Sequence, residues 1–201
     1  NHAFAPGQRF RYMDGSIAPS IDIAKDGKIL GNTLPKVYGG FVNNFSVQGF
    51  DVTIDPLYTF GKYIYNGTKA GLRDQRFWNN HTDVLNRWTK PGDQTDIPRV
   101  VYNDNVSNGS TMVISSNVEK GDFVKFRSIV LGYTLPRTIS DKINLSNVRF
   151  YASVQNAYTI TNYSGADPEI SSNGNSTTSP GVDRNTTFQP RTMSVGLNIG
   201  F

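Results

Sequence analysis

The sequence predicts an all-β chain whose antiparallel strands form a segment of a transmembrane β-barrel with long external loops. Three observations predict this fold class. Five segments carry apolar residues at every second position, short and long connections alternate between them, and aromatic residues are abundant, with 12 Phe and 10 Tyr in 201 residues. Period-two alternation is typical of strands that separate an apolar from a polar environment, and aromatic side chains favour strands.

The alternation places the predicted strands at residues 37–47, 50–60, 123–133, 148–158 and 191–201. Strand 50–60 shows the pattern clearly, because its even positions are apolar while most of its odd positions are Asp or Thr. Strand 191–201 alternates without interruption and ends on Phe201. Each of these strands therefore has one face suited to an apolar medium.

Strand 123–133 departs from a simple alternation. Lys125 and Arg127 fall on the same phase as Ile129 and Leu131. A β-bulge inserts one residue and exchanges the two faces of the strand beyond it. The sequence therefore predicts a bulge or a change of environment near Ser128.

The connections between the predicted strands alternate in length. Gln48 and Gly49 make a two-residue hairpin turn and residues 134–147 a compact connection, whereas 61–122 and 159–190 are long. Outer-membrane barrels have short periplasmic turns and long external loops, and tilted strands of about this length cover their apolar band of about 25 Å. Five strands cannot close a barrel, and an open sheet edge is prohibitive in lipid. We therefore expect the chain to be part of a larger barrel.

The polar phase of the strands is predicted to line the barrel lumen. Its candidate lumen-facing residues are Thr53, Thr59, Gln155, Thr192, Ser194 and Asn198. Phe201 is predicted to anchor the last strand at the inner membrane interface, where aromatic side chains are enriched. A soluble edge strand whose final Phe belongs to a core is the alternative for that residue.

The long connection 61–122 contains the densest cluster of aromatic, basic and amide groups, RDQRFWNNHTDVLNRW at 73–88. Its candidate contacts to substrate or to a covering lid are Arg76, Trp78, Arg87 and Trp88. Indole rings stack on sugar faces or peptide side chains, and guanidinium groups donate hydrogen bonds. The spacing of the apolar residues equally favours a short helix packed inside the loop.

Composition argues against several other classes of function. The net charge is only +4 and the basic residues are scattered, unlike the basic stripe of a nucleic-acid binder. The chain has no Cys and two distant His, so the sequence predicts no metal site, no cofactor and no catalytic triad. The turn from Asp22 to Gly27 lacks the ligand pattern of a calcium loop. We therefore expect no enzyme.

Several stretches, taken in order, resemble the C-terminal part of SusC/RagA-family TonB-dependent outer-membrane transporters. They are AKDGKILGNTLPKVYGGFVNNFSVQGFDVTI (24–54), RWTKPGDQTDIPR (87–99), VEKGDFVKFRSIVLGYTLPRTI (118–139), VRFYASVQNAYTITNYSGADPEI (148–170) and QPRTMSVGLNIGF (189–201). Pro56 departs from the family's pattern, because it interrupts a strand.

The resemblance implies the last strands of a 22-stranded barrel in the outer membrane of a Gram-negative bacterium. The family's plug domain and TonB-contacting segment would lie upstream and are absent from this chain. Such transporters work beneath a SusD-like surface lipoprotein and import large nutrients, oligosaccharides or peptides, with energy relayed by the TonB complex. By the same resemblance, Phe201 is the signal that the insertion machinery reads.

Alternative functions remain open from the sequence. One is a secreted β-sandwich carbohydrate-binding module with aromatic loops, which would bury its apolar rows against a second sheet. Another is a passive or structural outer-membrane barrel without active transport. A β-rich hydrolase is a more distant alternative.

Overall fold

The computed structural model describes residues 10–11, 17–18, 27–75, 79–99, 114–169, 171–173 and 179–201. The chain divides into two compact units. One, the loop unit, draws on residues 1–34, 63–120 and 164–186, and the other, the sheet unit, comprises Pro35–Lys62, Gly121–Tyr163 and Thr187–Phe201.

The described strands are β1 (Phe10–Arg11), β2 (Ile17–Ala18), β3 (Val37–Gly40), β4 (Asn43–Val47), β5 (Phe50–Phe60), β6 (Tyr63–Asn66), β7 (Val118–Lys120), β8 (Phe123–Thr134), β9 (Asn147–Thr161), β10 (Val182–Asp183) and β11 (Thr192–Gly200). The described helices are α1 (Gly67–Leu72), α2 (Arg137–Ser140) and three 3₁₀ helices, Thr82–Asn86, Ser115–Asn117 and Asp141–Ile143. Among the described residues, no helix combines the length and the apolar character needed to cross a bilayer.

The sheet unit is built on one antiparallel sheet with the strand order β11-β9-β8-β5-β3, in which β4 also pairs with β5. The all-β, antiparallel fold class predicted from the sequence is confirmed. Val47 pairs with Phe50 across the predicted two-residue turn, and both Gln48 and Gly49 have positive φ, as tight hairpin turns require. The assignment of the whole chain to one barrel domain stays a prediction.

The strand predicted over 37–47 is divided into β3 and β4 by Pro56 on its neighbour β5. Gly40 pairs with Leu57 and Asn43 with Ile54, so the register is the same on both sides of the division. The amide of Phe41 still donates to the Pro56 carbonyl at 3.2 Å. Because proline has no backbone N–H, it cannot donate the second hydrogen bond to Phe41, and the β-ladder between the two strands is interrupted there.

The predicted bulge near Ser128 is present, with Arg127 as the extra residue. Asp55 pairs with Ser128 while the adjacent Pro56 pairs with Phe126, so the backbone of Arg127 has no register partner on β5. The insertion exchanges the faces of β8, so that Phe126 joins the apolar side and Lys125 moves to the polar side. The charged residues that broke the alternation in the sequence therefore do not lie on the apolar face.

The loop unit has secondary structure of its own. Its three-stranded sheet has the order β10-β6-β7, with β10 parallel and β7 antiparallel to β6. Asn66 caps α1 by accepting a hydrogen bond from the Lys69 amide at 2.8 Å. Ile64 and Ala70, only 1% and 2% exposed, lie in its small core. Residues that the sequence predicts as long loops thus fold into a body with a core.

Candidate functional site

The large sheet presents two chemically opposite faces, which together form the candidate site. Residues paired across antiparallel strands point to the same side. The paired rows that run through Phe50, Tyr133 and Phe150, and through Val52, Leu131, Ala152 and Val195, are apolar throughout. One side of the sheet is therefore a nearly continuous apolar surface.

The apolar face is uncovered over most of its area. Val195 is 87% exposed and Met193 72%, and both lie on the edge strand β11. Among the residues that the structure describes in the sheet unit, no second sheet lies against this face. Water-soluble monomers rarely expose contiguous apolar patches larger than a few hundred Å². Such an exposed apolar face is suited to lipid or to another protein surface, and the described residues of the sheet unit do not show the buried apolar rows of a β-sandwich.

Aromatic pairs stand at both ends of the apolar face. The rings of Phe50 and Tyr133 lie with their centroids 4.4 Å apart beside the hairpin turn. The rings of Tyr58 and Phe60 lie 5.9 Å apart at the other end of β5. Aromatic side chains at both ends of an apolar band are typical of the two girdles of membrane barrels.

All six residues predicted to line a lumen lie on the opposite, polar face. The Thr53 hydroxyl donates to Asn44 Oδ1 at 2.7 Å, and the Gln155 amide donates to Ser128 Oγ at 3.2 Å. Thr192 is the cross-strand partner of Gln155. Ser194 and Asn198 follow on the same side of β11, and Thr59, only 8% exposed, lies at the far end of β5. The sequence pattern therefore identified one common surface.

Two ion pairs on the polar face were not predicted. Arg149 donates two hydrogen bonds to Asp51, at 3.1 and 2.5 Å, across the intervening strand β8. The strand between them carries Gly132 at that register, and a Cβ there would meet both side chains. The second pair joins Arg127 and Asp55 at 3.1 Å. A glycine inside a strand often marks a place where other groups approach the backbone closely. Gly132 was therefore the sign in the sequence from which the Asp51–Arg149 pair could have been suspected.

A second glycine shapes the same face at the C-terminal strand. Gly196 pairs with Tyr151, and the phenol ring occupies the space that a Cβ on Gly196 would take. The Arg149 guanidinium lies 5.6 Å from the centre of that ring. The aromatic ring thus compensates for the missing side chain and joins β11 to β9.

Of the four candidate contact residues, Arg76 and Trp78 lie outside the described residues. Arg87 and Trp88 are half-buried at the end of the 3₁₀ helix Thr82–Asn86. The Trp88 amide donates to the Ile97 carbonyl at 3.0 Å. The short helix that the apolar spacing favours is a 3₁₀ helix in which Val84 is buried but Leu85 is 76% exposed, so only part of the expected packing is present. A contact of this segment with substrate or lid stays a prediction.

Arg73 holds this part of the loop unit together through two carboxylates. It donates to Asp83 at 2.8 Å and to Asp96 at 2.9 Å. Burial opposes the charged form of Asp83, yet the hydrogen bond and charge of Arg73 keep the pKa of Asp83 below its usual value. These pairings join residues that are not neighbours in sequence, so the sequence pattern gave no signal for them.

A second polar cluster joins the two long connections, and we call it the Glu119 clasp. Glu119 accepts from Lys69 Nζ at 2.9 Å and from the Ser164 amide and hydroxyl at 2.9 and 2.8 Å. Asn66, only 1% exposed, donates to Glu119 at 3.4 Å and to the Ser164 hydroxyl at 3.2 Å. Burial opposes ionisation, but the Lys69 and Ser164 bonds lower the pKa of Glu119. Residues from 61–122 and 159–190 are thereby fastened to each other.

The described residues contain no group of three His, Cys, Asp or Glu side chains arranged to hold a metal ion. One face of the large sheet is apolar and exposed, and the other carries hydroxyls, amides and paired charges.

Comparison with known proteins shows that the chain is similar to part of several TonB-dependent receptors. No family model matches the sequence. TonB-dependent receptor P3 of Formosa agariphila is 32% identical over 199 residues, which cover 97% of this chain and 19% of the receptor. TonB-dependent receptor P39 of the same organism is 31% identical over 187 residues, which cover 90% of the chain and 18% of the receptor. The chain thus spans about a fifth of the length of these relatives.

The fold is also found in solved structures. A structure of the RagAB peptide transporter matches with a TM-score of 0.75 and 22% identity over 98% of this chain and 20% of the matched chain. The RagAB peptide importer in its closed-closed state matches with a TM-score of 0.74 and 23% identity, over 98% of this chain and 21% of that one. At this identity the likeness establishes the fold.

Proposed function

We propose that this chain, which belongs to the SusC/RagA family of TonB-dependent receptors, forms part of the wall and outer rim of an outer-membrane transporter for large nutrients. The observation that carries the proposal is the pair of opposite faces on the large sheet. The apolar face meets lipid and the polar face meets the aqueous lumen of a barrel. In this arrangement the chain acts without chemical catalysis.

The energetic argument for lipid rests on the exposed rows of the sheet. Burying apolar surface is favourable by about 25 cal/mol per Å². Val195 and Met193 are 87% and 72% exposed in the isolated chain, so they gain from a hydrocarbon environment. The free backbone edges of β11 and β3 require further strands in lipid, and we propose that the rest of a 22-stranded receptor supplies them.

The polar face supplies the lumen surface in this proposal. Thr53, Gln155 and their predicted companions present hydroxyl and amide groups suited to water and to polar solutes. The ion pair Asp51–Arg149 is bidentate and holds two charges in a fixed geometry on that face. We propose that these residues line the route of the solute.

The loop unit forms the external rim in this proposal, and Arg76, Trp78, Arg87 and Trp88 remain its candidate contacts to substrate or lid. The related solved structures are described as a peptide importer, RagAB. We propose that this chain's receptor imports peptides or oligosaccharides, that a SusD-like surface lipoprotein covers it, and that the TonB complex supplies energy through another part of the receptor.

Phe201 completes the wall at its inner end. It follows the apolar row of β11 and is 96% exposed. We propose that it anchors the last strand at the periplasmic interface and serves as the insertion signal in the outer membrane of a Gram-negative cell.

Uptake by cells tests the proposed function. The gene for the full-length receptor is deleted, and uptake of fluorescent oligopeptides and oligosaccharides is measured with and without a TonB inhibitor or protonophore. Loss of uptake on deletion, restoration by the intact gene and inhibition by the protonophore are expected. Uptake that persists unchanged in the protonophore indicates a passive barrel, and unchanged uptake in the deletion contradicts an import role for those solutes.

A further inference from the structure

Residues 135–146, which connect β8 to β9, form a small helical cap at one end of the large sheet. The cap consists of α2 (Arg137–Ser140), which leads directly into the 3₁₀ helix Asp141–Ile143. It ends at Asn144, whose left-handed φ of 55° turns the chain, and the Leu145 amide donates back to the Ser140 carbonyl at 3.0 Å. This is the hydrogen-bonded stop of a helix terminus. The cap is therefore an ordered element.

The cap is fastened to the end of the sheet on two sides. The Leu135 amide donates to the Val148 carbonyl and the Ser146 amide to the Gly200 carbonyl, both at 2.9 Å. The second bond places the cap beside Phe201, the residue after Gly200. The position of the cap is thus fixed relative to the apolar face.

The cap lies against the apolar side of the sheet. Val148 belongs to the apolar row with Ile199, yet it is only 5% exposed, whereas Ile199 is 44% exposed. Helix α2 contacts β9, the strand that carries Val148. Ser140, 1% exposed, is the residue of α2 that faces inward. The rest of the cap lies outward from that contact.

The outward surface of the cap combines two apolar side chains with two basic ones. Ile139, in α2, is 48% exposed, and Ile143, in the 3₁₀ helix, is 54% exposed. Arg137 and Lys142 are exposed beside them, together with Asp141, so the cap carries a net charge of +1. Exposed apolar residues with Arg or Lys close by are typical of helical segments that lie in a membrane interface, where the long basic side chains reach the phosphate groups.

We propose that residues 135–146 form an interfacial anchor, in which Ile139 and Ile143 enter the lipid headgroup and acyl boundary while Arg137 and Lys142 contact lipid phosphates. The inference rests on the proposed function, because that function places the apolar face in a bilayer. It adds a second type of lipid contact, parallel to the membrane surface, at the inner end of strands that cross the membrane. The occupant is lipid because the cap is hydrogen-bonded to the ends of strands whose apolar face the proposed function places in a bilayer, and because Arg137 and Lys142 are complementary to lipid phosphates.

The test measures the depth of single positions in the bilayer. These 201 residues contain no cysteine. Ile139→Cys, Ile143→Cys and the matched control Thr138→Cys are made in a full-length receptor from which every cysteine elsewhere in the protein has been removed, and are labelled with a fluorescent bimane. The receptor is reconstituted in vesicles of phosphatidylethanolamine and phosphatidylglycerol. Quenching is compared between lipids spin-labelled near the headgroup, lipids spin-labelled deep in the acyl chain, and aqueous iodide.

At Ile139 and Ile143 the expected result is quenching by the shallow spin label that exceeds the deep label by about two-fold or more, because interfacial helices lie about 5–10 Å into the headgroup boundary. At Thr138 iodide is expected to quench most strongly. Val195→Cys, on the wall, is the reference and is expected to be quenched by the deep label.

Strong iodide quenching at both isoleucine positions, or no quenching by either lipid label, overturns the anchor while deep quenching at Val195 leaves the wall intact. Absence of lipid quenching at Val195 itself overturns the proposed function. The two failures are therefore distinguishable in one set of samples.

Discussion

Glu119→Gln is expected to loosen the loop unit without affecting the large sheet. The substitution retains the size of the side chain and removes its charge. Glu119, whose side chain is 17% exposed, accepts bonds from Lys69, Ser164 and Asn66. In the variant the side-chain amide nitrogen is itself a hydrogen-bond donor, and it faces the N–H and O–H groups that donated to the carboxylate.

The size of the expected change in hydrogen exchange follows from the hydrogen bonds that lose a charged acceptor. A hydrogen bond to a charged group contributes about 1.5–3 kcal/mol, and each 1.4 kcal/mol is about a tenfold change in an opening equilibrium. Amide hydrogens in Tyr63–Asn66 and Val118–Lys120 are therefore expected to exchange about ten- to a hundred-fold faster. Hydrogen exchange with mass spectrometry on the full-length receptor in lipid nanodiscs measures this rate.

Lys120→Gln is the matched control, because it removes an exposed charge from the same strand. Its exchange rates are expected to remain within about two-fold of the native receptor, as for most exposed substitutions. Unchanged exchange in Glu119→Gln, or faster exchange spread equally into β8 and β9, would refute the clasp as the element that joins the two connections.

The clasp also has a defined pH dependence. The pKa of Glu119 lies below its ordinary value of 4.5 in the folded unit, since burial is outweighed by the bonds from Lys69 and Ser164. The folded state therefore binds fewer protons than the unfolded state. The stabilisation of the loop unit by ionised Glu119 is complete above about pH 4.5 and is lost as the pH falls through the lowered pKa. This acid-dependent part of the loop unit's stability is expected to vanish in Glu119→Gln.

Two further substitutions test the large sheet. Gly196→Val is expected to lower the yield of folded receptor in heat-modifiability gels, because the new side chain enters the space of the Tyr151 ring and overpacking costs about 1–3 kcal/mol. Adding Tyr151→Ala to the same chain should recover part of the yield. No recovery would argue against the ring contact. Val195→Arg is expected to lower the free energy of unfolding of the receptor in lipid vesicles by about 2–4 kcal/mol, and Ser194→Arg by much less. Denaturant titrations measure both values. Equal losses of stability in the two variants would contradict lipid at Val195 and water at Ser194.

The large sheet could be predicted from the sequence because its information is local. Alternation along β5 and β11 specifies both the strands and the side to which each residue points. The bulge at Arg127 also left a local sign, since Lys125 and Arg127 broke the apolar phase. The division between β3 and β4 did not, because its cause, Pro56, lies on the neighbouring strand and acts through a missing N–H.

The loop unit could not be predicted in the same way. Asn66 and Ser164 are 98 residues apart, and their hydrogen bond leaves no periodic pattern in the sequence. The parallel pairing of Val182 with Tyr65 likewise depends on two connections meeting in space. The candidate rim residues Arg87 and Trp88 were identified by residue type alone, so their position could be expected but their partners could not.

The exposure of alternate residues on β11 in a bilayer tests the central claim most directly. Single cysteines at residues 193, 194, 195, 197 and 198 of the full-length receptor, in outer-membrane vesicles opened to both sides, are treated with a charged, membrane-impermeant maleimide. Labelling is predicted at Ser194 and Asn198, and protection at Met193, Val195 and Leu197 until the vesicles are dissolved and the protein denatured. Equal labelling at odd and even positions, or protection of the even positions alone, would contradict a wall with lipid on one side and water on the other.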